Sequence, residues 1–93
     1  MKILISAEFD QDLSFWKKND QKIVSKIRQL LSAILQNPYK GIGKPEPLKY
    51  KLSGCWSRRI NREHRLIYRV INDELQLLAC RYHYQSSWLR AIS

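Results

Sequence analysis

Acidic residues are scarce in this chain. Eight Asp and Glu stand against seventeen Lys and Arg, for a formal net charge of +9 over 93 residues. A chain so biased attracts polyanions, and the bias is concentrated. Lys40, Lys44, Lys49, Lys51, Arg58, Arg59, Arg62, Arg65 and Arg69 face only Glu46 and Glu63 within residues 40–69, which places +7 of the +9 there. Cysteine is almost missing as well. Cys55 and Cys80 are too few for a disulfide framework and fit a reducing compartment. With His64 and His83 they supply the residue types of a zinc site, but Cys80 and His83 lie three apart on an expected strand, which sends them to opposite faces. No zinc site or other cofactor is expected. Long apolar runs are lacking too: Met1-Lys-Ile-Leu-Ile-Ser6 is too short for a signal peptide, and no later stretch could span a bilayer. The expectation is a cytoplasmic protein with no membrane partner.

What is present suits one domain, since 93 residues with a hydrophobic fraction of 44% can bury one modest core. Residues 1–6 read as a short strand ending at Ser6, which can cap a helix carrying Glu8, Asp10 and Asp12 toward its positive end. Phe9, Leu13 and Trp16 give that helix an apolar stripe, and Lys17 and Lys18 suit its C-terminal dipole. Asp20 can cap a second helix, in which Ile23, Val24, Ile27, Leu30, Leu31, Ile34 and Leu35 form a broad apolar face. Asn37-Pro38 ends it. Both helices are core-building and carry no chemistry.

Gly41, Gly43, Pro45 and Pro47 gather between Tyr39 and Lys51, which marks a loop of about a dozen residues, long enough to suggest function. Three strand-like segments follow at 54–60, 64–71 and about 75–84, joined by short connections and therefore antiparallel. The expected fold is α+β, a small antiparallel sheet with two N-terminal helices packed on one face, in the order β-α-α-β-β-β. Parity then assigns Trp56, Ile60, Leu66, Tyr68, Val70, Leu78, Cys80 and Tyr82 to the face under the helices. Arg59, Arg65, Arg69, Arg81 and His83 go to the opposite face. Ile67, Ile71, Leu75 and Leu77 are also odd-numbered, so either part of the open face is covered or a bulge changes the parity.

Several residues carry candidate chemistry. Glu46 lies between two prolines that hold the backbone extended, so its carboxylate is placed at little further entropic cost. A lone loop glutamate is usually only solvated; one set among cations can accept the proton of an RNA 2′-hydroxyl. Arg59 and Arg65 could pair with Glu63 or Asp73 on a strand surface. Several cations on one face repel each other, however, unless an anion sits there, and guanidinium forks match phosphate oxygens. His83, with an ordinary pKa of about 6.5, suits the protonation of a leaving alkoxide. Tyr82 and Tyr84 could be edge aromatics, and Tyr84 could stack on an unpaired base. Base, cations and acid together are the groups that cleave RNA.

The motifs Gly-Lys-Pro-Glu-Pro-Leu-Lys (43–49), Leu-Ser-Gly-Cys-Trp-Ser-Arg-Arg-Ile (52–60), Glu-His-Arg-Leu-Ile-Tyr (63–68) and Cys-Arg-Tyr-His-Tyr (80–84) together resemble the YoeB/Txe branch of the RelE-like toxins of bacterial toxin–antitoxin systems. The resemblance covers residues 1–84, leaving 85–93 as a C-terminal extension, and implies a RelE-like, microbial-RNase-like fold. It implies a ribosome-dependent mRNA interferase that cuts translated message in the A site without a metal, leaving 2′,3′-cyclic phosphate and 5′-hydroxyl ends. By the family pattern Glu46 is the general base, His83 the general acid, Arg59 and Arg65 stabilise the phosphorane, and Tyr84 orients the substrate. Lys49 lies near the scissile phosphate, and Lys44, Lys51 and Arg81 contribute to RNA binding. The implied partners are mRNA, the ribosome, an acidic YefM-like antitoxin and a second copy of the chain. The sequence departs from the pattern in the tail after Tyr84 and in Cys55, where the family often has an aromatic or other apolar residue. Two rivals are a RelE-fold toxin acting on another target such as DNA gyrase, and a ribosome- or RNA-binding module without nuclease activity. The Glu, Arg and His set argues against the first, and message cleavage separates the second.

Overall fold

The computed structural model describes residues 1–82. Strand β1 (Lys2–Ile5) leads into helix α1 (Ala7–Asn19) and helix α2 (Gln21–Gln36). Strands β2 (Glu46–Pro47), β3 (Trp56–Arg59), β4 (Arg65–Ile71) and β5 (Glu74–Ala79) follow, with a 3-10 turn at Tyr50–Leu52. The five strands form one sheet in the order β1-β5-β4-β3-β2.

Both expected caps form. Ser6 Oγ accepts from the Phe9 amide at 3.0 Å and donates to the Leu78 carbonyl at 2.9 Å, which ties the start of α1 to β5. Asp20 Oδ1 accepts from the amides of Lys22 and Ile23 at 3.0 and 3.4 Å. Phe9 and Trp16 from α1 and Ile23, Val24, Ile27, Leu30 and Ile34 from α2 are buried against one face of the sheet. Facing them are Ile60, Leu66, Tyr68, Leu75, Leu77 and Cys80, with Trp56 and Val70 partly buried. Burying a side chain of this size contributes about 1.5–3 kcal/mol before entropy is counted, so this layer is the main source of stability.

The α+β architecture with both helices on one face is as the sequence indicates, with two differences in the sheet. It is mixed rather than antiparallel, because β1 runs parallel to β5, from Lys2 opposite Glu74 to Ile5 opposite Leu77. Short turns fix strand direction only between neighbours that they join. β1 and β5 are joined by no such turn, and the helical hairpin that follows β1 sets its direction. In addition, the long loop contains a short strand, β2, paired antiparallel to β3 through Glu46–Ser57 and Pro47–Trp56. Proline, lacking an amide hydrogen, is tolerated there because β2 is an edge.

Both alternatives raised by the odd-numbered apolar residues are realised. Between β4 and β5, Ile67 is opposite Ala79 while Tyr68 is opposite Leu77, so Leu78 is the extra residue of a bulge. Parity along β5 changes there. Leu75 and Leu77 join the helix-covered core, and Leu78, expected under the helices, goes to the other face. On that face Leu78, Ala79, Ile67, Leu52 and Cys55 form a second cluster, with Leu48 packed on it. The segment after β2 is its lid. Tyr82, also expected in the core, is exposed.

Candidate active site

Arg58 and Arg59 are neighbours in β3 and point to opposite faces. Arg58 faces the helices and is 0% exposed. Its Nε donates to the Tyr68 hydroxyl at 3.1 Å and one terminal nitrogen to the Ile42 carbonyl at 3.1 Å. The other donates to the carbonyls of Asn37 and Lys40 at 2.6 and 3.0 Å. The Tyr68 hydroxyl in turn donates to the Pro38 carbonyl at 2.5 Å. Burial pushes the Tyr68 phenol up, partly opposed by the Arg58 charge. One buried guanidinium thus gathers the carbonyls of the 37–42 loop, the stretch leading to Glu46, and offers no contact to a ligand on the surface. A charged residue at the same parity as Trp56 and Ile60 was the signal that could have found it.

One residue on, the backbone is held as tightly. The Arg59 amide donates to the Gly43 carbonyl at 2.6 Å. Gly43 has φ of +83°, and a Cβ there would lie 2.8 Å from Leu30 Cδ2 and 3.1 Å from Arg58 Cβ, so only glycine fits. Lys44, with φ of +50°, turns the chain into β2.

Register fixes what lies on the open face. Glu46 is directly opposite Ser57, Ser57 opposite Ile67, and Arg59 opposite Arg65, so these side chains share the face away from the helices. Glu46 is therefore the diagonal neighbour of Arg59, a Cα separation of ~7–8 Å that long side chains cover easily. Glu46, Arg59, Lys44, Lys49 and Lys51 are all exposed. Arg65 is half-buried, and one of its terminal nitrogens donates to the carbonyls of Asn61, His64 and Arg62 at 2.8, 3.1 and 3.3 Å. Those bonds fold it against the β3–β4 turn while the rest of its fork remains available. A carboxylate and two guanidiniums thus converge at one end of the open face. A cleft of about 490 Å³ opens beside them, lined by Glu46, Pro47 and residues 48–52.

Arg69, expected in the same group, lies on the same face beyond Ile67 and donates to Gln76 Oε1 at 2.6 Å, while Gln76 donates to Glu74 at 2.8 Å. Arg81 is not on that face. Its guanidinium stacks 3.6 Å from the Phe15 ring centroid on α1 and donates to the Tyr82 hydroxyl at 2.9 Å. Strand β5 ends at Ala79, whereas the expected strand ran on to about residue 84, so strand alternation no longer governs Arg81. His83 and Tyr84 lie outside the described residues.

The last described turn is held from four sides. Asp12 Oδ2 accepts from the Cys80 amide at 2.9 Å, and Trp16 Nε1 donates to the Cys80 carbonyl at 2.8 Å. His64 Nδ1 accepts from the Tyr82 amide at 2.7 Å, and the Arg65 amide donates to the Tyr82 carbonyl at 3.1 Å. His64 is buried edge-on to Trp16, with centroids 4.7 Å apart. The sequence pointed to only a helix-dipole role for Asp12 and, for His64, only a zinc-ligand role set aside on spacing. Burial pushes the Asp12 carboxyl up from 3.8, against the Cys80 amide and Arg81, which pull it down. Burial likewise pushes both thiols up, so neither Cys55 nor Cys80 is a ready nucleophile at neutral pH.

An exposed carboxylate beside strand arginines, on the open face of a helix-backed sheet, defines a small basic α+β protein with a candidate anion-binding surface, and comparison with known proteins narrows it. A family profile described as "YoeB-like toxin of bacterial type II toxin-antitoxin system" matches residues 5–84. Toxin YoeB of Escherichia coli K12 is 51% identical over 84 residues, covering 90% of this chain and all of that protein. The YoeB/ParE toxin from Agrobacterium tumefaciens superposes with a TM-score of 0.87 at 42% identity, over 90% of this chain and all of that one. YoeB from Staphylococcus aureus, solved in a heterotetrameric complex with YefM, gives 0.82 at 45% identity, over 90% of this chain and 98% of that one. The chain belongs to the YoeB-like toxins of bacterial type II toxin–antitoxin systems.

Proposed function

We propose that this toxin is an endoribonuclease that cuts translated message in the ribosomal A site by general acid–base catalysis, with no metal required. The observation that carries the proposal is the register, which sets Glu46 diagonal to Arg59 and Arg59 opposite Arg65 on an exposed face. Glu46 removes the proton of a 2′-hydroxyl. The 2′-oxygen attacks the adjacent phosphorus, the bond from phosphorus to the 5′-oxygen breaks, and that oxygen takes a proton from His83. The products are a 2′,3′-cyclic phosphate and a 5′-hydroxyl. Arg59 and Arg65 hold the extra negative charge of the phosphorane, an effect commonly worth about two to three orders of magnitude in rate for one donor. Tyr84 orients the substrate. Lys44, Lys49 and Lys51 guide the strand electrostatically, and Arg81, stacked on Phe15, contributes at the far rim.

The antitoxin is expected to be an acidic, YefM-like protein, as the partner in the Staphylococcus aureus complex suggests, and its charge complements the +9 of the toxin. A YoeB dimer from the same organism supports a homodimeric free toxin. Cytoplasmic ribosomes are the site of action; among the described residues no helix is long and apolar enough to cross a membrane. Residues 1–84 carry the activity, with 85–93 an extension to it. Primer extension on a translated message tests the proposal. Breaks at A-site codons with the parent protein, lost in Glu46→Ala, are expected; equal breaks with both proteins would refute Glu46 as base.

A further inference from the structure

Tyr50 is a large aromatic residue left 90% exposed, well beyond the other exposed aromatics among the described residues, Tyr39 at 48% and Tyr82 at 37%. It stands in the 3-10 turn at φ of +58°, a region that side chains with a Cβ rarely occupy. The turn itself is secured by backbone bonds. The Leu52 amide donates to the Lys49 carbonyl at 3.1 Å, the Ser53 amide to the Tyr50 carbonyl at 3.0 Å, and the Cys55 amide to the Leu52 carbonyl at 2.9 Å. These bonds seat Leu52 in the second cluster, and none of them needs the Tyr50 ring. Glycine or asparagine would meet the backbone requirement with less strain. The ring is therefore not there for folding.

Its surroundings indicate what it serves. Lys49 and Lys51 flank it, both exposed, and the three residues form part of the cleft that Glu46 also lines. An exposed ring between two cations is the arrangement that binds single-stranded nucleic acid, with the ring taking a base face and the lysines the flanking phosphates. We propose that Tyr50 is a base-stacking platform for an unpaired nucleotide next to the linkage whose 2′-hydroxyl Glu46 deprotonates. This rests on the ribonuclease reading and adds to it a binding subsite on the lid segment. Stacking reads a π-face rather than a hydrogen-bonding edge, so the subsite contributes affinity and placement with little base preference.

The test uses the full chain and programmed ribosomes. Their message carries 2-aminopurine in the A-site codon and a 2′-O-methyl group at the scissile linkage, which blocks cutting; a second, unmodified message reports cleavage. Tyr50→Asn is expected to keep or raise the melting temperature, to weaken binding about tenfold, as loss of one stacked base does, and to abolish the 2-aminopurine quench. Tyr50→Trp is expected to keep both binding and quench. Glu46→Gln is expected to bind and quench like the parent while failing to cut. Binding by Tyr50→Asn within twofold of the parent, with the quench intact, overturns the platform. So does a Tyr50→Asn defect confined to antitoxin binding, which would make Tyr50 a protein contact. If Glu46→Gln still cuts while Tyr50→Asn loses the quench, the base assignment fails and the platform stands. A parent that does not bind message at all overturns both.

Discussion

Arg58 and Arg59 share a peptide bond and a charge, yet the sheet gives them different work. Arg58 faces the helices, is fully buried and is bonded to one hydroxyl and three carbonyls. Arg59 faces out, exposed, opposite Arg65 and diagonal to Glu46. The comparison extends to the two sides of the sheet. The helix-covered side holds the fold, and the other carries a small apolar cluster at its middle with charge beyond it. Residues that build the site are thus separated by one strand thickness from those that stabilise it. The helix side nonetheless governs the open side, because Arg58 gathers the loop that leads to Glu46.

Substitutions can sharpen or break this contrast. Arg58→Ala should cost about 3 kcal/mol or more in urea unfolding, since it leaves several buried acceptors unmet. Arg59→Ala should change stability by no more than about 0.5 kcal/mol while lowering A-site cleavage about a hundredfold. Equal stability losses for the two would erase the distinction. Gly43→Ala is expected to cost about 2 kcal/mol by thermal unfolding, because the left-handed backbone and the contact with Leu30 both oppose a Cβ. Cleavage should fall with it, since Gly43 anchors Arg59.

The smallest effect concerns Asp12. Its folded pKa is raised above 3.8, so between that value and the raised one the folded protein holds more protons than the unfolded chain. Its contribution to stability therefore falls as pH rises through that window. Asp12→Asn keeps an acceptor for the Cys80 amide without the charge. The stability difference, variant minus parent, should shift toward the variant as pH rises from about 3.8 and then level off. A difference independent of pH would show that Asp12 does not titrate in a buried setting.

Local signals made much of this legible in advance. Ser6 and Asp20 marked the helix starts, the apolar stripe of α2 marked its buried face, and alternation along β4 sorted Leu66, Tyr68 and Val70 from Arg65 and Arg69. Alternation failed along β5 because one inserted residue at Leu78 puts the residues before it out of step with those after it, so Leu75 and Leu77 lie under the helices together with Cys80, and a bulge has no composition of its own. Arg81 was misplaced because the strand stops at Ala79 and alternation stops with it. Arg58 passed for surface charge because its partners are backbone carbonyls of a distant loop, which sequence does not advertise. The position of Glu46 on an edge strand, rather than in an open loop, followed only from pairing with β3.

The claim on which the rest depends is that the open face cuts RNA by using the strand's own 2′-hydroxyl. A message with a single 2′-deoxynucleotide on the 5′ side of the A-site scissile linkage tests it most directly. The account predicts that programmed ribosomes carrying this message still bind the toxin but show no break at that linkage. A break there at the rate seen with unmodified message would contradict it.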